Sequence, residues 1–368
     1  MPTITNTPML RYAIIGSGMM GHEHIRNIQL LGDAMVTAVA DPDEAMRNTS
    51  VALTGGTARS FADHRSLLDS GLADVLVIAS PNYTHTGLLF DAMTSGLPIL
   101  IEKPLCTQIE DCEKIERAVR DYKAPVWVGM EYRYMPPVRK LIEGVCDGRI
   151  GSLMMLSIIE HRFPFLRKVN NWNRFSEYTG GTLVEKCCHF FDLMRLVTNS
   201  EATKVFASGS QAVNHLDESY ENRVPDIDDN AFVIVEFESG VRGALHLCMF
   251  AEGSYFQEEI CVIGDVAKLE ARVPGPARFW PGGRERESEV VLSPRFQKEP
   301  VTEKITVDDK ILAAGDHHGS TFYQHQRFRD SVLNGNPVEV SVEDAVKAIR
   351  IGLAAQQSIH NGQAIDLI

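Results

Sequence analysis

Short, wholly apolar runs separated by stretches of helical period fill the first third of the chain. The runs at 12–15, 35–40, 73–79, 97–101 and 126–129 read as buried strands, and 20–31, 84–95 and 108–122 as helices between them. Strands apolar on both faces and alternating with helices predict a parallel sheet covered on both sides. Right-handed crossovers then make it a doubly wound α/β domain. Past residue 130 the period changes. A helix near 136–145 is followed by strand-like runs at 153–160, 203–209, 230–237, 241–250 and 258–264. Several alternate apolar with polar residues, as in Ala231-Phe-Val-Ile-Val-Glu-Phe237, and turn at sites such as Glu238-Ser-Gly240. That alternation predicts a large, mainly antiparallel open sheet. Helices are expected near 181–198, 320–334 and 342–361, and the Pro-, Gly- and charge-rich 274–300 reads as a loop insertion. The pattern divides the chain into an α/β domain over 1–130 and an α+β domain over 131–368, whose closing helices lie near 320–361.

Composition narrows the possible partners. The chain has 368 residues, 44% hydrophobic and 23% charged, as expected for about two soluble globular domains. Its formal net charge is −13, with no Lys/Arg cluster set against that field. Nucleic acid and anionic membrane surfaces are therefore excluded as expected partners. The opening Met-Pro-Thr-Ile-Thr-Asn-Thr-Pro lacks the basic start and apolar run of a signal peptide, and no stretch reaches the ~18 to 20 apolar residues of a membrane span. Seven cysteines, an odd number, then read as reduced thiols in the cytoplasm.

Gly16-Ser-Gly-Met-Met-Gly21 fits G-x-G-x-x-G, follows a predicted strand and opens a predicted helix. In that setting Gly16 and Gly18 permit a tight turn and close approach of a pyrophosphate. Met19, Met20 and Gly21 begin the helix whose N-terminus favours negative charge. Asp41 lies twenty residues past Gly21, at the end of the second strand, where a carboxylate can accept from both ribose hydroxyls and repel a 2′-phosphate. The expected cofactor is thus NAD rather than NADP; a plain strand-to-helix turn with a surface Asp is the alternative. Ser80-Pro-Asn-Tyr-Thr-His85 and Glu102-Lys-Pro104 follow later strands, at carboxyl ends where open α/β sheets bind ligands. Ser80, Pro81, Asn82, His85, Glu102 and Lys103 join the expected cofactor site, although Lys103 could equally be a surface lysine before a proline.

The second cluster is Gly180-Gly-Thr-Leu-Val-Glu-Lys-Cys-Cys-His-Phe-Phe-Asp192. Glu185 and His189, four apart, would share a helix face, either as a site or as an ordinary surface pair. Cys187, Cys188 and His189 point in different directions on a helix, and no second Cys/His cluster has zinc-like spacing, so no metal is expected. His317-His318, Asp226, Asp228 and Asp229 read as loop and strand-start residues.

Together these motifs resemble the glucose–fructose oxidoreductase / inositol dehydrogenase / rhizopine catabolism (Gfo/Idh/MocA) family. The resemblance also takes in Tyr132-Arg133 and the closing Phe328-Arg-Asp-Ser and Val340-Ser-Val-Glu-Asp344, and so covers nearly the whole chain. It implies a Rossmann domain followed by an open, mainly antiparallel sheet whose face forms homodimers or homotetramers. It also implies NAD(P)-dependent oxidation or reduction of secondary alcohols of sugars and cyclitols. By that similarity Lys103 is the catalytic lysine, His189 the general acid/base, and Glu185 stands where an aspartate is usual. Glu185 is expected to orient His189. Lys186-Cys187-Cys188 depart from the small apolar residues usual there. Arg133, Tyr132, His161, Arg162 and Trp172 are the expected substrate contacts. Inositol dehydrogenases commonly carry Asn after the His-Arg pair; Phe163 takes its place here and points away from inositol itself. Two other activities fit the same fold: a non-catalytic NAD-binding sensor or regulator, and a redox-assisted glycosidase that retains NAD.

Overall fold

The computed structural model describes residues 9–296 and 299–367, so the N-terminal segment read as lacking a signal peptide lies outside the described residues. Six strands, β1 (Leu10–Ile15), β2 (Ala34–Ala40), β3 (Arg59–Phe61), β4 (Val75–Ile78), β5 (Ile99–Ile101) and β6 (Val126–Val128), form one sheet in the order β3-β2-β1-β4-β5-β6. All its pairings are parallel. The core of β1, β4, β5 and β6 is buried on both faces, as their unbroken apolar runs require. Strand order reverses between β1 and β4, which opens a crevice at their carboxyl ends.

A second sheet holds β7 (Leu153–His161), β8 (Ala202–Ser210), β9 (Asn230–Phe237), β10 (Arg242–Cys248), β11 (Glu258–Gly264), β12 (Ala267–Val273), β13 (Ser288–Pro294), β14 (Val301–Ile305) and β15 (Ile365–Asp366). Their order is β14-β13-β12-β11-β7-β10-β9-β8-β15, antiparallel except for β7 beside β10. The expectation of a loop over 274–300 fails in part. β13 lies inside it, paired with β12, and the Pro/Gly-rich residues only connect the two. β9 alternates strictly, burying Ala231, Val233, Val235 and Phe237 and exposing Phe232 and Ile234. The buried face packs under the helices Cys188–Thr198 and Val342–Asn361. The latter starts at a capping box in which Ser341 and Asp344 satisfy each other's backbone N–H.

Helices from the end of the chain return to the first sheet. Phe328, fully buried on helix Ser320–Asn334, meets Tyr12 of β1 and Trp127 of β6 edge-on. Val128 N–H donates to Val340 O at 3.1 Å. Among the described residues no helix is long and apolar enough to cross a membrane.

Candidate active site

Strand β1 ends at Gly16, whose φ of +100° would strain any other residue, and whose added Cβ would lie 2.6 Å from the Ala79 carbonyl. Gly21 sits one helical turn further on, where a Cβ would come within 2.1 Å of Gly16 O. Gly18 has nothing within 4 Å of that position among the described residues. Helix Met19–Gln29 therefore packs hard against the turn and leaves a cradle in front of its N-terminus that no side chain fills among the described residues. No acidic residue occupies its first turn, so the positive end of its dipole is uncompensated. Asp41, at the end of β2, accepts from Ser17 N–H at 2.7 Å and from Asp43 N–H at 2.9 Å, which fixes both carboxylate oxygens beside the cradle. These features fit a dinucleotide: a Cβ-free surface for the pyrophosphate and a positioned carboxylate for a ribose.

The cradle opens into a cavity of about 620 Å³ shared by the two sheets. Gly16, Gly18, Met19, Met20, Asp41, Ser80, Pro81, Asn82, Glu102 and Lys103 line one side, and Tyr132, Arg162, Trp172, Glu185 and His189 the other. Lys103, joined to Pro104 by a cis peptide bond, reaches across to donate from Nζ to the Glu185 carbonyl at 3.0 Å. Burial works to lower its pKa, but the negative charge of Glu185, with Glu102 and Glu131 behind, outweighs burial and holds Lys103 above its ordinary value. It is a cationic donor. His189 is the reverse: burial, with Lys103, Lys186, His317 and Arg162 around it, pushes its pKa well below the ordinary histidine range. Its imidazole is neutral, and its Nδ1 has no hydrogen-bond partner among the described residues.

Several expected site residues stand elsewhere. The helix expected over 181–198 is two helices, Thr182–Glu185 and Cys188–Thr198, with a turn at Lys186-Cys187. Glu185 and His189 therefore do not share a continuous face. Glu185 instead lies 3.5 Å from Lys168 Nζ and accepts from the Asn82 amide, and the Lys168 and Lys103 charges with that hydrogen bond keep it ionised against its burial. Nothing in this geometry has Glu185 orienting His189. Arg133 is drawn away from the cavity into a buried two-pronged pair with Asp192, at 2.5 Å, and donates to Glu339 O at 2.7 Å. His161 points to the opposite face of β7 from Glu160 and packs edge-on against His246, 4.6 Å between centroids. His85 is fully buried and ties the Ser80 and Pro104 carbonyls together (2.8 Å to Pro104, 3.0 Å to Ser80), positioning both turns without lining the cavity. Cys187 and Cys188 are buried in the core. Phe163 is buried and stacks on Phe279 at 3.9 Å, with the Arg162 guanidinium 4.4 Å above it.

His317, read as a loop residue, belongs to the site. Its Nδ1 lies 2.9 Å from Glu23 Oε1 and 3.2 Å from Glu131 Oε1. Burial opposes its protonation, but the two carboxylates raise its pKa to about 9. Behind Lys103, His325 and His24 are linked at 2.8 Å, and His24 Nε2 lies 3.0 Å from Glu102 Oε1. Lys168, over the Trp172 ring at 4.6 Å, and Lys186 also line the cavity. Of these additions only Lys186 carried a sequence signal, as a charge where small apolar residues are usual.

Two family profiles match the chain in turn. Residues 10–130 match the profile described as "Oxidoreductase family, NAD-binding Rossmann fold", and 139–367 that described as "Oxidoreductase family, C-terminal alpha/beta domain". The chain is 26% identical to a myo-inositol 2-dehydrogenase of Thermotoga maritima, over 97% of this chain and 98% of the relative. It is 30% identical to an inositol 2-dehydrogenase of Saccharopolyspora erythraea, over 92% of this chain and 98% of that one. A solved levoglucosan dehydrogenase in complex with NADH shares the fold at a TM-score of 0.80 and 20% identity, covering 98% of this chain and 99% of that one.

Proposed function

The chain belongs to the Gfo/Idh/MocA oxidoreductase family, and on that premise we propose that it is an NAD-dependent dehydrogenase. Its substrate is a secondary alcohol of a sugar, sugar derivative or cyclitol. The observation that carries the reading is the single cavity that joins the glycine cradle, Asp41, the Lys103 ammonium and the neutral His189. The cradle, with Ser80, Pro81 and Asn82 beside it, would hold the dinucleotide, and Asp41 favours an unphosphorylated ribose. Bound nicotinamide supplies the hydride acceptor.

The chain's own residues handle the proton and the developing charge. His189, uncharged, takes the hydroxyl proton as the carbinol carbon gives up hydride; such a base contributes about 10²–10⁴-fold. Lys103, held protonated, donates a hydrogen bond to the reacting oxygen and stabilises alkoxide character. Tyr132, Arg162 and Trp172 border the substrate end. The exposed Phe206, Phe232, Ile234 and Met155 on the open face of the second sheet support assembly as a homodimer or homotetramer.

The test is NADH formation by purified protein against sugars, inositols and sugar acids, with NADP in parallel. Turnover with at least one of these that falls by 10²-fold or more in both Lys103→Ala and His189→Asn is expected. Full activity in either variant overturns the role given to that residue. Silence across the panel, with NAD tightly bound, overturns the dehydrogenase itself.

A further inference from the structure

Among the described residues no carboxylate fixes the His189 imidazole, since Glu185 is committed to Asn82 and Lys168. Something else must set its ring. Tyr132 lies flat against it, 4.1 Å between centroids and 8° between planes. The Tyr132 hydroxyl accepts from Lys186 Nζ, which also stands 4.5 Å from the tyrosine ring and 2.8 Å from Glu160 Oε1. Glu160 is directly opposite Glu258 across β7 and β11, so two buried carboxyls flank one buried ammonium. Burial and Glu160 push Glu258 up to about 7. His189, Tyr132, Lys186, Glu160 and Glu258 are each nine-tenths or more buried.

We propose that Tyr132, pinned by Lys186 against Glu160, is the positioning residue that sets the His189 imidazole, in place of a carboxylate neighbour. A stacked ring fixes the plane of the imidazole as a hydrogen bond would, but adds no negative charge. Groups facing His189 from the other elements are Lys103 after β5, Arg162 after β7, His317 and Lys186 itself, while Asp192 on its own helix is taken up by Arg133. The arrangement keeps His189 a neutral acceptor at pH values where a carboxylate-paired histidine is already protonated. Lys186 thus contributes twice, through the grip on Tyr132 and through its charge. This inference rests on His189 being the proton acceptor of the proposed reaction.

The experiment reads the imidazole directly, by ¹H–¹³C correlation spectra of histidine-labelled protein across pH, with the His189 signal assigned by its loss in His189→Asn. In the unaltered protein the His189 ring protons are displaced upfield by the face of Tyr132, and they do not titrate through the ordinary range near 6.5. In Lys186→Met/Glu160→Gln, which removes the ammonium together with the carboxylate 2.8 Å from it, the upfield displacement shrinks and the titration moves to higher pH. Lys186→Arg restores both. An unchanged signal in the folded double variant overturns the proposal. Should the double variant not fold, Tyr132→Phe decides it, since that ring stays but loses its grip on Lys186; an unchanged His189 displacement there overturns the proposal equally. Full turnover in His189→Asn removes the base role while leaving the spectroscopic result standing, so the two failures are distinguishable.

Discussion

Adding one methyl group to the glycine turn separates its two jobs. In Gly21→Ala the new Cβ starts 2.1 Å from Gly16 O, whereas non-bonded carbon contacts settle near 3.5 Å, so helix and turn must part by roughly 1.4 Å. Overpacking of that kind costs about 1–3 kcal/mol of stability. It also swings the helix N-terminus off the pyrophosphate site. A dipole contribution of up to about 2 kcal/mol, lost in full, corresponds to roughly a 30-fold weaker Kd for NADH. Gly18→Ala is the contrasting arm. Gly18 has φ −81° and ψ −163°, which alanine adopts freely, and nothing lies within 4 Å of the new methyl. Its stability should stay within about 0.5 kcal/mol of the unaltered protein, while NADH binding falls at least about tenfold because the methyl fills the cradle. Urea denaturation and NADH fluorescence titration, run on both variants, give the two readouts. Equal destabilisation by the two substitutions, or wild-type NADH affinity in Gly21→Ala, would refute the packing argument.

Other consequences are as direct. Asp41→Ala removes the acceptor for Ser17 and Asp43 N–H, and should weaken NADH while cutting discrimination against NADPH at least about tenfold, read as the ratio of the two Kd values. Asp192→Ala leaves the buried Arg133 guanidinium without its counter-charge and should cost about 3–5 kcal/mol in urea denaturation; a loss below ~1 kcal/mol contradicts the structural role given to Arg133. His317, raised to about 9 by Glu23 and Glu131, stabilises the folded state fully below its unfolded value near 6.5, and that contribution is lost as pH rises through 9. Thermal melts from pH 6 to 10 should therefore fall more steeply in the unaltered protein than in His317→Gln, and parallel curves refute the assignment.

What the sequence revealed was local in character. Gly16 to Gly21, Asp41 and Lys103 were legible because each acts through its own turn or strand end, and period alone separated the parallel from the antiparallel sheet. Glu185 was misread because the i,i+4 argument assumes an unbroken helix. The chain turns at Lys186-Cys187, where Glu185 meets Asn82 and Lys168 while Lys186 meets Glu160. His317 was invisible for another reason: Glu23, its partner, is 294 residues away in sequence. Arg133 and His161 sit beside true cavity residues in sequence, but strand alternation and the Asp192 pair turn them elsewhere. β13 was hidden by the Pro- and Gly-rich connection that precedes it.

Phe328, wedged between Tyr12 and Trp127, has a consequence for how the protein is made. A ribosome releases the six strands of the first sheet long before it reaches Ser320–Asn334, the helix that covers part of that sheet. Until the last eighth of the message is translated, β1 and β6 keep an apolar surface that the tail of the chain later closes. Chaperone binding to nascent chains should therefore persist well past residue 130, and a stop codon anywhere before residue 320 should yield an N-terminal half that aggregates.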